Sequence, residues 1–527
     1  MTERSTTGGG VGGRAGCRES HEAKRAVDKD SEEATAMRGE KLPNIVFIMA
    51  DDMGYGDVSC YNPESAIPTP NMDRLAREGM RFTDAHSPSA VCTPTRYGVL
   101  TGRYCWRPRL KESVLFGYEP PLIEPDRLTA ASLLRQAGYS TACIGKWHLG
   151  LGWTVKPGAQ VDLARPLPWP SITDRSLEEQ IDFTQPITGG PTALGFDYFF
   201  GTSGCCTCQP PYGFIENERF PEAPSVYDDK PLFTGRPGMK APSWNHKEAD
   251  PTICRAAVSY IEGQAESDRP FFLYLCPSAP HEPCTESVVP EPARGRSAAG
   301  PRGDLVWLFD WVVGEVIEAL DRAGQSDNTL LLVTSDNGAL PGDRVRGEDG
   351  RQCYRDYGHK SCGNWRGYKS HIWEGGHREP LIARWPGRIE PGRVSDQLVC
   401  LTDLMATCAA ISGSRLPTGA GEDSYDLLPA LLETTDRSLR NGLVHTSGFG
   451  VFSIRQGEWK LVLDTEGSGG WPPPTDTGIT PGGRGQLYNI VEDPFEQRNL
   501  WDDCPQVVQR LRELLRRHQE EGRGASG

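Results

Sequence analysis

Asn44–Ala50 reads Asn-Ile-Val-Phe-Ile-Met-Ala, an unbroken apolar run held between Pro43 and the acidic pair Asp51-Asp52. It lacks the polar alternation of a half-exposed strand, so it is read as a strand buried on both faces. Such a strand needs helices above and below it. The chain supplies them. Leu128–Gln136 is predicted as a helix closed by Gly138, and Leu305–Leu320 has helical apolar spacing ended by Ala323-Gly324. Ser140–Gly145, Pro270–Leu275, Thr329–Ser335 and Pro380–Trp385 are predicted as further buried strands. Helices alternating with buried strands predict an α/β domain built on a large mixed, mostly parallel sheet sandwiched by helices. Asp51, Lys146, His281 and Asp336 all follow predicted strands. In open α/β sheets, chemistry sits beyond the carboxyl ends of the strands.

The pattern changes near residue 440. Gly442–Thr446, Val451–Arg455, Trp459–Leu463 and Gln486–Ile490 read as short strands, and Val507–His518 as a closing helix. The expected organisation is a tail over 1–41, a catalytic domain over 42–440 and a small sheet-and-helix subdomain over 441–527. Gly467–Gly485, rich in Gly, Pro and Thr, is expected to be a surface loop. The tail holds almost no large apolar residue and is expected to be disordered. It shows no apolar core of a secretory signal, so the chain as written is expected to be cytoplasmic, with Met37 an alternative start.

The formal charge of -15 argues against a general nucleic-acid binder, and an anionic substrate would need a local basic pocket. No apolar run is long enough for a membrane span. The 16 cysteines are too sparse in 527 residues for a disulfide framework. Cys143, Cys276, Cys400 and Cys408 lie in apolar surroundings and read as buried thiols. Cys205-Cys206-Thr207-Cys208 could bind a soft metal or form a disulfide. With no second ligand pair nearby in the sequence, buried thiols or a local disulfide are favoured.

Asp51, Asp52, Asp336 and Asn337 offer three carboxylates and an amide carbonyl. Such hard oxygen donors suit Ca²⁺, with Mg²⁺ the alternative, better than zinc. Singly, an Asp-Asp pair after a strand is a turn or helix cap, and Asp-Asn-Gly is a turn. Cys92-Thr93-Pro94-Thr95-Arg96 is followed by Leu100-Thr101-Gly102-Arg103. Pro94 suits the first turn of a helix, which would put Cys92 at a helix N-terminus that favours an anion. Arg96 lies about one turn further on. Lys146 and His148 stand two apart in Gly-Lys-Trp-His-Leu-Gly, so an extended segment would point both to one side. His281 lies in Ala-Pro-His-Glu-Pro, and Lys369 lies five before Glu374-Gly375-Gly376.

Together these motifs resemble the type I sulfatases of the alkaline phosphatase superfamily, from about residue 43 to about residue 500. Pro68–Ala76, Leu194–Asp197, Arg384–Gly387 and Leu487–Ile490 also match that family's segments. The resemblance implies that Cys92 is oxidised to formylglycine by a formylglycine-generating enzyme. It implies that the hydrated aldehyde attacks sulfur, forms a covalent sulfo-enzyme and then expels sulfate. It assigns Asp51, Asp52, Asp336 and Asn337, with the modified Cys92, to the divalent ion. It assigns Arg96 to holding the diol and metal site, and His148 to the diol. Lys146 and Lys369 would bind sulfate, and His281 would bind it or protonate the leaving alcohol. The implied substrates are sulfated carbohydrates or aryl sulfates. The aromatic and basic segment Tyr357–Trp365 leans toward a sugar. The insert Pro341–Gly363 is expected at the pocket rim. A phosphonate or phosphodiester hydrolase of the same superfamily, and a non-catalytic sulfated-glycan-binding module, are the competing readings.

Overall fold

The structure is a computed structural model that describes residues 41–163, 175–229, 236–340, 353–435, 437–471 and 481–521. The expected tail up to residue 40, and residues 341–352 and 472–480 of the two expected loops, lie outside the described residues.

The strands in chain order are β1 (Asn44–Ala50), β2 (Met80–Phe82), β3 (Ala85–His86), β4 (Ser140–Lys146), β5 (Tyr198–Thr202), β6 (Ile215–Glu216), β7 (Val226–Asp228), β8 (Gly238–Lys240), β9 (Phe271–Cys276), β10 (Thr329–Ser335), β11 (Leu381–Arg384), β12 (Arg393–Ser395), β13 (Val399–Cys400), β14 (Leu443–Thr446), β15 (Phe452–Gln456), β16 (Trp459–Thr465) and β17 (Pro481–Asn489). Nine of them form one sheet in the order β12-β2-β11-β10-β1-β9-β4-β5-β6. The central strands β10, β1, β9, β4 and β5 run parallel, and β11 and β6 run antiparallel to their inner neighbours. All seven residues of β1 are buried, as its unbroken apolar character requires. One sheet face packs against the helices Ala249–Gly263 and Gly300–Arg322 through Val46, Ile48, Ile253, Val312 and Val316.

Register decides what stands at the top of the sheet. β1 and β10 pair from Asn44 with Thr329 to Ala50 with Ser335. Asp51-Asp52 and Asp336-Asn337 therefore leave adjacent strands at the same level. β4 ends at Lys146, and β9 leads into the loop that carries His281.

A second sheet, β14-β15-β16-β17, is antiparallel throughout. The helix Pro505–Glu521 closes it with Val508, Leu511, Leu514 and Leu515. One expectation fails here. Gly467–Gly470 is buried, not a surface loop: the Ser468 carbonyl accepts from Ile372 N at 2.8 Å, and Trp471 N donates to Ser370 Oγ at 3.1 Å. Glycine-rich composition signals close backbone approach as readily as exposure, and a Cβ at Gly470 would lie 2.1 Å from the Ser370 carbonyl. Among the described residues no helix is long and apolar enough to cross a membrane.

Candidate active site

Three buried carboxylates meet three buried cations above β1 and β10. Lys146 Nζ donates to Asp51 Oδ2 at 2.6 Å, and Lys369 Nζ to Asp52 Oδ1 at 2.6 Å. Arg96 reaches Asp336 Oδ2 with Nη2 at 2.7 Å and Nε at 3.1 Å. Asn337 Nδ2 donates to Asp52 Oδ1 at 2.7 Å. That bond fixes the amide orientation and turns Asn337 Oδ1 the other way. Asp51 Oδ1, Asp52 Oδ2 and Asn337 Oδ1 are buried with no hydrogen-bond partner. Native interiors rarely leave such oxygens unsatisfied, so three of them in one site call for a cation. Ligand atoms of Asp51, Cys92 and Asp336 lie within 4.8 Å of one another.

Electrostatics follow from this crowding. Burial pushes Asp51 upward, but Lys146, His281 and Arg96 outweigh it and hold the carboxyl well below the usual range. Asp336 goes the other way, to about 7, because burial and the neighbouring Asp51 charge exceed the pull of Arg96. Burial would neutralise Lys146, yet Asp51 keeps its ammonium charged.

Cys92 is the first residue of a helix, Cys92–Thr101, in which every residue is buried. The helix starts as expected, with Cys92 at its N-terminus and Pro94 in its first turn. Cys92 faces the helix N-terminus, where free N–H groups favour an anion. Burial raises its thiol, but Cys205, Lys146, His148 and Lys369 bring it well below its ordinary range. His148 Nε2 bonds the Leu115 carbonyl at 2.8 Å, so Nδ1 carries the lone pair and faces Cys92. Burial lowers the His148 pKa, which leaves the ring neutral at physiological pH. His281 Nδ1 bonds the Glu282 carbonyl at 2.9 Å, and its Nε2 lies 3.7 Å from Asp52 Oδ2. Burial opposes its charge, but Asp51 and Asp52 raise it to about 10.

Comparison with known proteins decides the lineage of this arrangement. The family model described as Sulfatase matches residues 43–414. The chain belongs to the sulfatase family. N-acetylgalactosamine-6-O-sulfatase of Bacteroides thetaiotaomicron is 32% identical over 517 residues, covering 91% of this chain and 93% of that protein. Arylsulfatase A of Homo sapiens is 32% identical over 502 residues, covering 91% and 88%. A solved Bacteroides thetaiotaomicron chain, described with the metabolism of multiple glycosaminoglycans, superposes with a TM-score of 0.76 at 30% identity. It covers 91% of this chain and 100% of its own. The protein is therefore a sulfuric ester hydrolase of alkaline phosphatase-like fold.

All ten residues expected at the sulfatase site come together at the carboxyl end of the sheet. The route differs from expectation for His148. Lys146 and His148 do not share a side by strand alternation, since β4 ends at Lys146 and His148 turns back with φ 57°. Trp147 N and His148 N are tied to the carbonyls of Thr202, the last residue of β5, and Ser203, the residue after it. In the segment Tyr357–Trp365, expected to lean toward a sugar, Trp365 packs against protein groups. Arg378 covers its ring at 4.0 Å, and Tyr55 packs edge-on at 5.9 Å. Of the expected rim insert, His359 is buried on Asp57 at 2.8 Å instead.

Other residues that shape the site carry no local signal. Arg302 clamps both oxygens of Asp57, at 2.7 and 2.8 Å, and donates to the Asp52 backbone carbonyl at 3.0 Å. Asp52 itself sits at φ 70°, a strained position that this clamp supports. Gly338 is needed for proximity, because a Cβ there would lie 1.9 Å from the Gly375 carbonyl. Gly375 in turn would meet the Gly367 carbonyl at 2.3 Å. The Asp-Asn-Gly and Glu-Gly-Gly motifs are thus two backbones in direct contact. Lys369 N, on the same loop, donates to the Ala339 carbonyl at 2.7 Å.

Proposed function

We propose that this sulfatase cleaves sulfate monoesters of carbohydrates, using a formylglycine made from Cys92 and a divalent cation, Ca²⁺ with Mg²⁺ the alternative. The observation that carries the reading is the set of orphaned oxygens on Asp51, Asp52 and Asn337 beside Asp336 and the helix-start residue Cys92. An all-oxygen set with one reactive side chain fits a hard cation. Asp51, Asp52, Asp336, Asn337 and the modified Cys92 would hold it, and it would polarise the sulfate group. Hydrated formylglycine would supply one hydroxyl for attack on sulfur and a second for release of sulfate.

The chain's own groups then take definite parts. Lys146 and Lys369 keep N–H donors beyond those given to Asp51 and Asp52, and these would bind sulfate oxygens. His148 Nδ1, a neutral lone pair facing Cys92, would accept the proton of a hydroxyl there. His281 Nε2 would donate a proton to the leaving alcohol. Arg96 would hold Asp336 and the Lys146 backbone in place.

Maturation requires a formylglycine-generating enzyme, and burial supports its acting before folding. Cys92 is 2% exposed, and the whole Cys92–Thr101 helix is buried around it. The carbohydrate preference rests on the N-acetylgalactosamine-6-O-sulfatase likeness.

The test is peptide mass spectrometry across Val91–Arg96 on catalytically active protein, together with turnover of N-acetylgalactosamine 6-sulfate and of a chromogenic aryl sulfate. An aldehyde at position 92 and faster turnover of the sugar sulfate are expected. An unmodified thiol in active protein would overturn the formylglycine reading, and a preference for the aryl ester would overturn the substrate reading.

A further inference from the structure

The Cys205-Cys206-Thr207-Cys208 segment is not used by the chemistry above, and it lies against the catalytic histidine. Cys208 N and Gln209 N both donate to the Cys205 carbonyl, at 3.3 and 3.0 Å, so the segment is a tight turn. Cys205 Sγ stands 3.4 Å from His281 Nε2, and Cys208 Sγ 3.9 Å from His281 Nδ1. Ligand atoms of Cys205, Cys208 and His281 all lie within 4.8 Å of one another, and all three residues are buried.

The Cys205 Sγ to His281 Nε2 distance matches a thiolate–imidazole metal site, and Cys208 Sγ lies close enough to join it. Zinc–sulfur bonds of about 2.3 Å and zinc–nitrogen bonds of about 2.0 Å at a tetrahedral angle place sulfur about 3.5 Å from nitrogen. A Cys-x₂-Cys turn is a recurrent source of two such thiolates. The histidine is already oriented for the role. Its Nδ1 bonds the Glu282 carbonyl at 2.9 Å, which leaves Nε2 as the ligand nitrogen. Thr207 Oγ1 donates to that same carbonyl at 2.6 Å, tying the cysteine turn to the histidine loop. Cys206 points elsewhere, toward Ser278 and Asp250.

We propose that Cys205, Cys208 and His281 Nε2 form a site for a thiophilic divalent cation such as Zn²⁺, distinct from the hard-oxygen site of Asp51, Asp52, Asp336 and Asn337. On binding, the protons of the two cysteines and the extra proton of the charged His281 ring pass to solvent, so that two thiolates and a neutral imidazole meet the cation. Occupation withdraws His281 Nε2 from the leaving alcohol, so the ion inhibits hydrolysis. The metal site stands without the formylglycine reading; only the inhibition rests on it.

The experiment uses the calcium-loaded active enzyme and Cd²⁺ as probe. One cadmium per chain should raise the ultraviolet thiolate-to-cadmium charge-transfer band, with activity falling in parallel and returning on chelation. The band should survive in Cys206→Ser and vanish in Cys205→Ser/Cys208→Ser, whose residual activity should resist cadmium. On the wild type alone, cadmium should protect Cys205 and Cys208, but not Cys206, from alkylation read by peptide mass spectrometry. Absence of the band, its persistence in the double variant, or equal alkylation of all three cysteines would overturn the site. The band with undiminished activity would overturn the inhibition and leave the site and the hydrolase reading in place.

Discussion

Arg96 grips a single oxygen of Asp336 with two nitrogens, Nη2 at 2.7 Å and Nε at 3.1 Å, and both side chains are fully buried. A planar guanidinium can do this, and an ammonium cannot. Arg96→Ala would leave a buried carboxylate without its partner. The expected cost is about 3–5 kcal/mol in urea unfolding, with hydrolysis lost. Arg96→Lys should recover part of the stability and little of the activity. Equal activity of the Lys variant and the wild type would mean that the fork geometry is irrelevant.

Metal removal should destabilise the protein as well as silence it. Asp51, Asp52 and Asn337 each hold a buried oxygen without a hydrogen bond, so a bound cation relieves a standing penalty. Calcium at 100-fold over its dissociation constant should stabilise by about 2.7 kcal/mol, read as a rise in melting temperature. Chelator-treated protein should show the fall, and added calcium should reverse it. An unchanged melting curve would argue against ion binding by these oxygens.

Asp57 sets an acid limit on the support beneath the site. Burial pushes its carboxyl up, but Arg302 and the His359 hydrogen bond bring it down to about 2, against 3.8 ordinarily. A depressed carboxylate contributes stability that is fully present above about pH 4 and is lost as pH falls through 2. The contribution is about 2 kcal/mol. Asp57→Asn should be less stable than wild type at neutral pH, and the gap should narrow between pH 4 and pH 2. A gap constant over that range would refute the assignment.

Gly338→Ala tests whether the Asp-Asn-Gly glycine serves contact. A Cβ there meets the Gly375 backbone carbonyl at 1.9 Å, and backbone cannot yield as a side chain can. The variant should lose about 1–3 kcal/mol. It should also lose turnover, because the same contact seats the loop that carries Lys369. Wild-type kinetics in the variant would show that the two segments separate freely.

Much of the fold was legible because its signals are local. β1 and β10 are continuous apolar runs closed by acidic residues, and β10 spans the predicted Thr329–Ser335. Cys92-x-Pro-x-Arg, Gly-Lys-Trp-His and Glu-Gly-Gly are short enough to read directly. The short strands β2, β3, β5 and β6 escaped notice, since two to five residues carry too little periodicity.

The sequence by itself determined the α/β class, the second small sheet and the identity of the residues that converge. Each follows from hydrophobic pattern or from a contiguous motif. Tertiary structure alone decided their pairing: Lys146 with Asp51, Lys369 with Asp52, Arg302 beneath Asp52, and Cys205 beside His281. These partners lie tens to hundreds of positions apart, and the contact exists only once strand register and loop closure bring them to one level. Buried charges find their partners through that geometry, because an unpaired charge inside the protein costs more than the fold can bear.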